Sequence, residues 1–239
     1  ITDVGEKTVS VKAENPNYET ATAETTLKVT RKPVTVKAND ASKVFGENDP
    51  DKFTADVDGL LGNDKIVFNV KRMAGEDAGT YAITPSGEKE QGNYEVTYEN
   101  GTFTIFKSTA LTVSAPDYKG EYDGRSHGTT AVAKAGDHPA PTGTKIYYST
   151  SNDGPWSEKS PEIKDIGTKI VYVKAENPNF ETARASATLK VTPKEVTVTA
   201  NDKSKKYGEK DPELTASVKG TLNGDTVKYQ LSREKGEAV

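Results

Sequence analysis

The chain has 239 residues, a formal charge of −4, and 32 basic residues interleaved with 36 acidic ones. It has no basic stripe of the kind nucleic acid requires and no run near the roughly 18 apolar residues of a membrane span, so neither nucleic-acid binding nor membrane insertion is expected. Cysteine is absent, which excludes disulfides and a thiolate nucleophile but leaves the compartment open. The hydrophobic residues, 33% of the total, alternate with polar ones in short runs. That is the pattern of half-buried strands, and no helical periodicity of useful length accompanies it. The expected class is all-β: small sandwich modules of an immunoglobulin-like kind.

Residues 1–30 read as two strands and a turn. Val9, Val11 and Ala13 alternate with polar neighbours, as do Leu27 and Val29, and Asn15-Pro16-Asn17 is the turn. The same text returns 162 residues later, where positions 163–192 match positions 1–30 at 21 of 30 places. The offset continues, since Lys32–Pro50 maps onto Lys194–Pro212 and, after a one-residue slip, Ala55–Glu76 onto Ala216–Glu237. A long fixed period is the mark of an array. Identity of Val9/Val171, Val11/Val173 and Ala13/Ala175 places these side chains in a core.

Residues 31–107 form a module of a second kind. Val34, Val36 and Ala38 share one face of its first strand. KVFGENDP (Lys43–Pro50) follows and recurs as KKYGEKDP (Lys205–Pro212). Further strands are expected at Phe53–Val57, Lys65–Lys71 and Thr80–Thr84. In NYEVTYENGTFTIF, Asn100-Gly101 predicts a type I′ hairpin turn, with Tyr98 facing Phe103 and Val96 facing Ile105.

Residues 108–192 are then the complete version of the module whose second half opens the chain. Its strands are expected near Leu111–Ala115, Thr129–Lys134, Lys145–Ser149, Lys169–Ala175 and Ala187–Val191. Residues 193–239 restart the second kind and stop before the counterpart of Gly79–Lys107. The order is therefore the C-terminal half of one immunoglobulin-like repeat (1–30), a whole second-type module (31–107), a whole immunoglobulin-like repeat (108–192) and the N-terminal part of another second-type module (193–239). This reads as a piece of a longer array. Two bare half-modules, with Val9, Val11, Leu27 and Val29 in one and Val196, Val198 and Val218 in the other, are expected to be covered by an adjacent module or another copy; otherwise the boundaries are misplaced. Short linkers at Thr30–Pro33 and Phe106–Thr109 predict a semi-rigid rod of modules about 30–40 Å long each.

An Asp-x-Gly corner occurs three times, at Asp3, Asp77 and Asp165. It reads either as the corner before a late strand of an immunoglobulin-like sandwich, with Tyr81 as the corner tyrosine, or as an ordinary β-turn with Asp first.

Residues Arg31–Lys107, with Phe45, Gly46 and Pro50, Gly79-Thr80-Tyr81 and the Asn-Tyr…Asn-Gly segment, resemble the MBG-type repeat of bacterial surface proteins. APDYKGEYDGRSHG with VKAENPNFETA resembles the bacterial immunoglobulin-like repeats that carry a Tyr-Asp-Gly motif, here Tyr122, Asp123 and Gly124. The resemblance implies an extracellular protein of the bacterial surface, an adhesin or its stalk, whose partners are neighbouring repeats of the same protein. It implies no catalytic residues and no cofactor. Host glycan or host protein is the partner in the alternative reading, a binding module that uses module faces or junctions.

Candidate chemistry is sparse. His127 beside a turn and His138 in a Gly/Pro loop lack any nucleophile context. Carboxylate pairs for glycoside hydrolysis need a cleft and a raised pKa, and rim acids of small sandwiches are solvated. Calcium is the stronger rival. Glu47, Asp49 and Asp51 share one loop, Asn39-Asp40 precedes it, and Glu209, Asp211 and Glu213 repeat it, whereas a solvated acidic loop explains the same residues. Trp156 reads as a sugar platform with Tyr118, Tyr122, Tyr147 or Tyr148, or as a lid packed on its own sandwich. An isopeptide crosslink is not expected.

Overall fold

The computed structural model describes residues 2–222 and 224–236, so Ile1, Asn223 and Glu237–Val239, which include both ends of the chain and the last position of the repeat alignment, lie outside it. The described residues are strands, turns and loops without a helix, and the chain divides into two compact units. The first comprises residues 1–109 with 178–180; the second comprises 110–177 with 181–239.

The first unit opens with β1 (Gly5–Asn15) and β2 (Tyr18–Val29), an antiparallel pair closed by the expected Asn-Pro-Asn turn. Asn15 fixes that turn, its side-chain oxygen accepting the Asn17 amide at 2.9 Å. The eight strands that follow are β3 (Lys32–Ala38), β4 (Ala41–Val44), β5 (Ala55–Asp58), β6 (Asn69–Arg72), β7 (Gly79–Ser86), β8 (Glu90–Gln91), β9 (Tyr94–Glu99) and β10 (Gly101–Phe106). They form two four-stranded sheets in the orders β5-β3-β9-β8 and β4-β10-β7-β6. The inward residues give two buried clusters. Val34, Val36, Tyr94 and Val96 make one, and Ala38, Ile83, Phe103 and Ile105 the other.

The expected β9–β10 hairpin does not form. The two strands lie in different sheets, β9 beside β3 and β10 beside β4 and β7. Val96 and Ile105 are both buried, as the alternation required, but they belong to different clusters. Both parallel pairs, β3 with β9 and β4 with β10, change sheet at the same level, at residues 39–40 on one chain segment and at Asn100 on the other. Gly101 is needed there for closeness and not for a positive φ. A Cβ on it would lie 2.6 Å from the Ala38 carbonyl oxygen. The Asp40 side chain ties the crossing by accepting the Thr102 amide at 2.7 Å.

In the second unit, β11 (Leu111–Ser114), β13 (Val132–Ala135) and β14 (His138–Pro139) form one sheet. The facing sheet has the order β12-β17-β16-β15, from β12 (Tyr118–Glu121), β15 (Lys145–Ser149), β16 (Gly167–Glu176) and β17 (Ala183–Thr192). The strand near Thr129–Lys134 begins later than expected, at Val132; the Thr129 amide donates instead to the Ser160 hydroxyl at 3.3 Å, and its own hydroxyl donates to the Pro116 carbonyl at 2.8 Å. The first strand again breaks and changes sheet, here at residues 115–117, so that β12 runs parallel to the last strand β17. Asp117 accepts the Thr188 amide at 2.6 Å, the counterpart of Asp40 and Thr102. Two facing sheets, a split first strand and a parallel first–last pair define an immunoglobulin-like sandwich in both modules.

In the complete repeat the valines lie inside, as expected: Val171, Val173, Ala175, Leu189 and Val191 are at most 2% exposed. In the first hairpin their counterparts are bare, with Val9 47%, Val11 60% and Leu27 47% exposed. Cover from an adjacent module, one of the expected arrangements, is therefore not what the chain provides. The same holds for Val196 and Val198 around β18 (Thr197–Ala200) and β19 (Ala216–Lys219), which pair with each other antiparallel.

The crossing yields a prediction that separates it from a hairpin turn. Gly101→Ala should destabilise the first unit by about 1–3 kcal/mol, because backbone must shift to admit the methyl group. Asn100→Ala should stay within about 0.5 kcal/mol, since no φ > 0 position is involved. Urea unfolding of the two variants checks both.

Candidate functional site

The loop after β4 carries the Phe45-Gly46 motif, and one of its acids, Asp49, faces two cations. Lys43 alternates inward on β4, with its side chain 4% exposed. A buried ammonium demands partners, and it has two, the Asp49 carboxylate at 2.8 Å and the Glu76 carboxylate. Arg72, the last residue of β6, grips Asp49 through Nε at 2.6 Å and Nη2 at 3.0 Å. Its remaining donors go to Glu76 and to the carbonyls of Met73 (2.8 Å) and Gly75 (2.7 Å). All five guanidinium donors are thereby satisfied, and the group lies 4.9 Å above the centre of the buried Phe103 ring.

Electrostatics follow the geometry. Hydrogen bonds from Arg72 first, and from Lys43 next, hold the Asp49 pKa down at about 2. Glu76 is lowered as well, first by Lys43 and then by Arg72. Both cations are raised, chiefly by Asp49. Across the repeat Lys205 and Arg233 each meet Asp211 at 2.6 Å, and Arg233 also donates to the carbonyls of Glu234 and Gly236. The pairing of Lys43, Asp49 and Arg72 thus recurs in a more exposed setting, and the counterpart of Glu76, Glu237, lies outside the described residues.

The three candidate calcium ligands are not brought together. Asp49 faces Lys43 and Arg72, Glu47 accepts the Val44 amide at 2.9 Å, and Asp51 is exposed. Among the described residues no group of three or more His, Asp or Glu is placed to hold a metal ion. Glu209 repeats the role of Glu47, accepting the Lys206 amide at 3.0 Å.

The aromatic candidates divide: Tyr147 joins Trp156 at Lys174, whose ammonium lies 5.2 and 5.0 Å from their ring centres, and Tyr118 and Tyr122 lie elsewhere. Tyr118 and Tyr122 pack against the core cluster of the second unit, and Tyr118 stacks on His127 with centroids 4.1 Å apart. His127 Nε2 lies 2.9 Å from an Asp123 oxygen that also accepts the Arg125 amide; these contacts, that of His127 first, lower the Asp123 pKa. In the Tyr-Asp-Gly motif, then, the half-buried Tyr packs against the core, the Asp ties the turn, and Gly124 supplies its φ of 72°. His138 is exposed on β14. Trp156 is half-buried over Lys174 and Arg184, whose charged groups lie 5.0 and 5.4 Å from its ring centre. These two cations are direct cross-strand partners of β16 and β17, a like-charge pairing that is unfavourable alone. The ring, together with Glu176 at 2.7 Å from Lys174, offsets it. Lys174 alternates with inward Val173 and Ala175, so Trp156 lies on the outer face of that sheet, away from Tyr118 and Tyr122.

Two small constellations escaped the sequence reading. Asn93 donates to Asp3 at 2.9 Å and accepts the Val4 amide at 2.9 Å. Asn179 donates to Asp77 at 2.9 Å and accepts the Ala78 amide at 2.8 Å. Two of the three Asp-x-Gly corners thus carry the same reciprocal bond pair. Tyr81 does behave as a corner tyrosine, its hydroxyl donating to the Asp77 carbonyl at 2.8 Å.

These observations define an all-β protein of tandem immunoglobulin-like repeats. Within it, residues 34–104 and 196–239 match the family described as the MBG domain (YGX type), the match that the Phe45-Gly46 and Tyr207-Gly208 motifs led us to expect. No curated protein sequence matches the chain. It is similar to the solved structure of DIP-gamma IG1+IG2, at 8% identity and a TM-score of 0.26 over 67% of this chain and 98% of that one. The N-terminal Ig1-2 module of the Drosophila receptor protein tyrosine phosphatase DLAR gives 14%, 0.23, 67% and 99%. Mouse clustered PcdhgC3 EC1-3 gives 11%, 0.27, 80% and 78%.

The clamp sets an acid limit. A carboxylate with a depressed folded-state pKa contributes stability that is complete above its unfolded value. That stability is lost as pH falls from 3.8 toward 2 for Asp49. In Asp49→Asn this acid limb should shrink by about 1–2 kcal/mol, seen by urea titration at a series of pH values. At neutral pH, Arg72→Met should destabilise the first unit by about 3 kcal/mol, because Asp49 loses its main partner and Glu76 its second. Trp156→Ala should lower the stability of the second unit by about 2 kcal/mol, read from its urea midpoint by circular dichroism.

Proposed function

We propose that the chain is a non-enzymatic structural segment, a stalk or spacer, of a bacterial cell-surface adhesin, and that it holds a distal binding domain away from the cell. MBG and immunoglobulin-like domains are typical of extracellular proteins, and the repeat of both kinds along one chain favours a role shared by the series over a single pocket.

The observation that carries this reading is the parallel pairing of early and late strands, β3 with β9 and β4 with β10 in one module, β12 with β17 in the other. When the two ends of such a module are pulled apart, the paired strands slide along each other. Their hydrogen bonds then bear load together and do not peel open one at a time. The clamp of Lys43, Asp49, Arg72 and Glu76 fastens the loop after β4 to the β6–β7 edge of the same sheet. Extended end to end, modules of this kind transmit tension and set a distance.

Single-molecule pulling tests it. Drawn from its two ends, the chain should give discrete rupture events at forces severalfold above those needed when handles on β7 and β10 peel that antiparallel pair. Equal, low forces in the two directions would remove the mechanical argument. A small-angle scattering maximum dimension close to that of a compact globule would remove the extended arrangement.

A further inference from the structure

The two reciprocal bond pairs share more than their atoms. Asn93 and Asn179 belong to different kinds of module, one just before β9 and the other in the turn between β16 and β17. Each is followed by a buried aromatic, Tyr94 at 5% exposure and Phe180 at 6%. Each asparagine gives its amide hydrogen to the corner Asp and takes the next backbone N–H on its own oxygen. The corner glycines share one backbone geometry, φ 150° at Gly5, 158° at Gly79 and 155° at Gly167. Phe180 adds an edge-on contact with Phe45, centroids 5.3 Å apart, and the Ser108 amide donates to the Asn179 carbonyl at 3.0 Å.

The chain also contains one unmated copy of each half. Asn17 and Tyr18 stand 162 residues before Asn179 and Phe180, in a hairpin of the same register: Ala13 pairs with Ala21 where Ala175 pairs with Ala183. Among the described residues the side chains of Asn17 and Asp165 make no hydrogen bond. Tyr18 is 78% exposed and Ile166, next to Asp165, is 60% exposed.

We propose that these are the open halves of a reciprocal Asp–Asn latch whose occupant is a further YGX-type MBG module. The Asn17–Tyr18 tip takes that module's Asp-x-Gly corner and loop aromatic. The Asp165–Gly167 corner takes the Asn-Tyr turn of another such module. The occupant of the Asn17–Tyr18 tip must carry a complete corner. The module within 31–107 does, but its Asp77 and Asn93 are already engaged by Asn179 and Asp3. The module beginning near residue 196 has Ala238 at the aligned position, so it lacks the acid. Electrically the latch is an ionised acceptor meeting a neutral amide, so it adds direction without burying an ion pair. This inference stands on the residue-level repeat and does not require the stalk reading.

The test lengthens the chain at its start with a second copy of residues 31–162, which continues the period. Tyr18 should then be protected from nitration while Tyr207, 89% exposed, stays reactive. Asn17→Ala in the lengthened chain should speed amide exchange at the added copy of Ala78 about five- to tenfold, as loss of one hydrogen bond implies. The same substitution in the 239-residue chain should change nothing at Ala78. Asn179→Ala in that chain is the internal standard, and it should accelerate Ala78 exchange by the same factor. The proposal is overturned if Tyr18 remains as reactive as Tyr207 in the lengthened chain, or if Asn17→Ala leaves the added Ala78 unchanged. Unchanged Ala78 exchange in Asn179→Ala overturns it as well, whether or not the lengthened chain folds.

Discussion

Early and late strands of each module lie side by side and parallel, and in the first unit they change sheet together. In the first unit that constraint fixes where β3 ends, where β4 begins and why Gly101 has no side chain. A chain crossing between two sheets exposes amides that neither ladder satisfies, and buried amides must be paired. Asp40 and Asp117 supply the missing acceptor at the equivalent place in two modules of different sequence. Because β10 is held on both sides, by β4 and by β7, Phe103 lies in a fixed position at the centre of its cluster. The Arg72 guanidinium then lies 4.9 Å above its ring, and the clamp around Asp49 follows from that placement.

Much of this was legible in the residues. Alternating valines named the inward faces of β3, β16 and β17, and the 162-residue period matched the hairpin register in both copies. The Asn100-Gly101 pair misled, because a two-residue turn signal describes local backbone preference. Whether neighbouring strands pair with each other depends on partners far along the chain. Here β3 and β4 took the edges that a hairpin would have joined. The tolerance for close packing that makes glycine useful was read as a tolerance for unusual φ.

The acidic loop shows a different gap. Glu47, Asp49 and Asp51 were visible as a cluster, but their counter-charges, Lys43 and Arg72, are 6 and 23 residues from Asp49. Only the fold brings Arg72 to that loop. A signal existed all the same: Lys43, Asp49 and Arg72 each recur as Lys205, Asp211 and Arg233. A repeated acid accompanied by two repeated cations describes an ion network before it describes a metal site. The latch residues were harder to find, since Asn93 and Asn179 share only a short Asn-aromatic-Glu run in modules of otherwise unlike sequence.

The crossing at Gly101 also governs how the chain ages chemically. An Asn-Gly pair loses its side-chain amide when the glycine nitrogen swings onto the asparagine side chain and closes a five-membered imide. The swing needs a backbone free to rotate. Gly101 is buried, paired in register with Ile83 and pressed against the Ala38 carbonyl, so the ring closes only when that junction opens. Hydrolytic damage at Asn100 is thereby tied to local unfolding, and the amide lasts as long as the two sheets remain together.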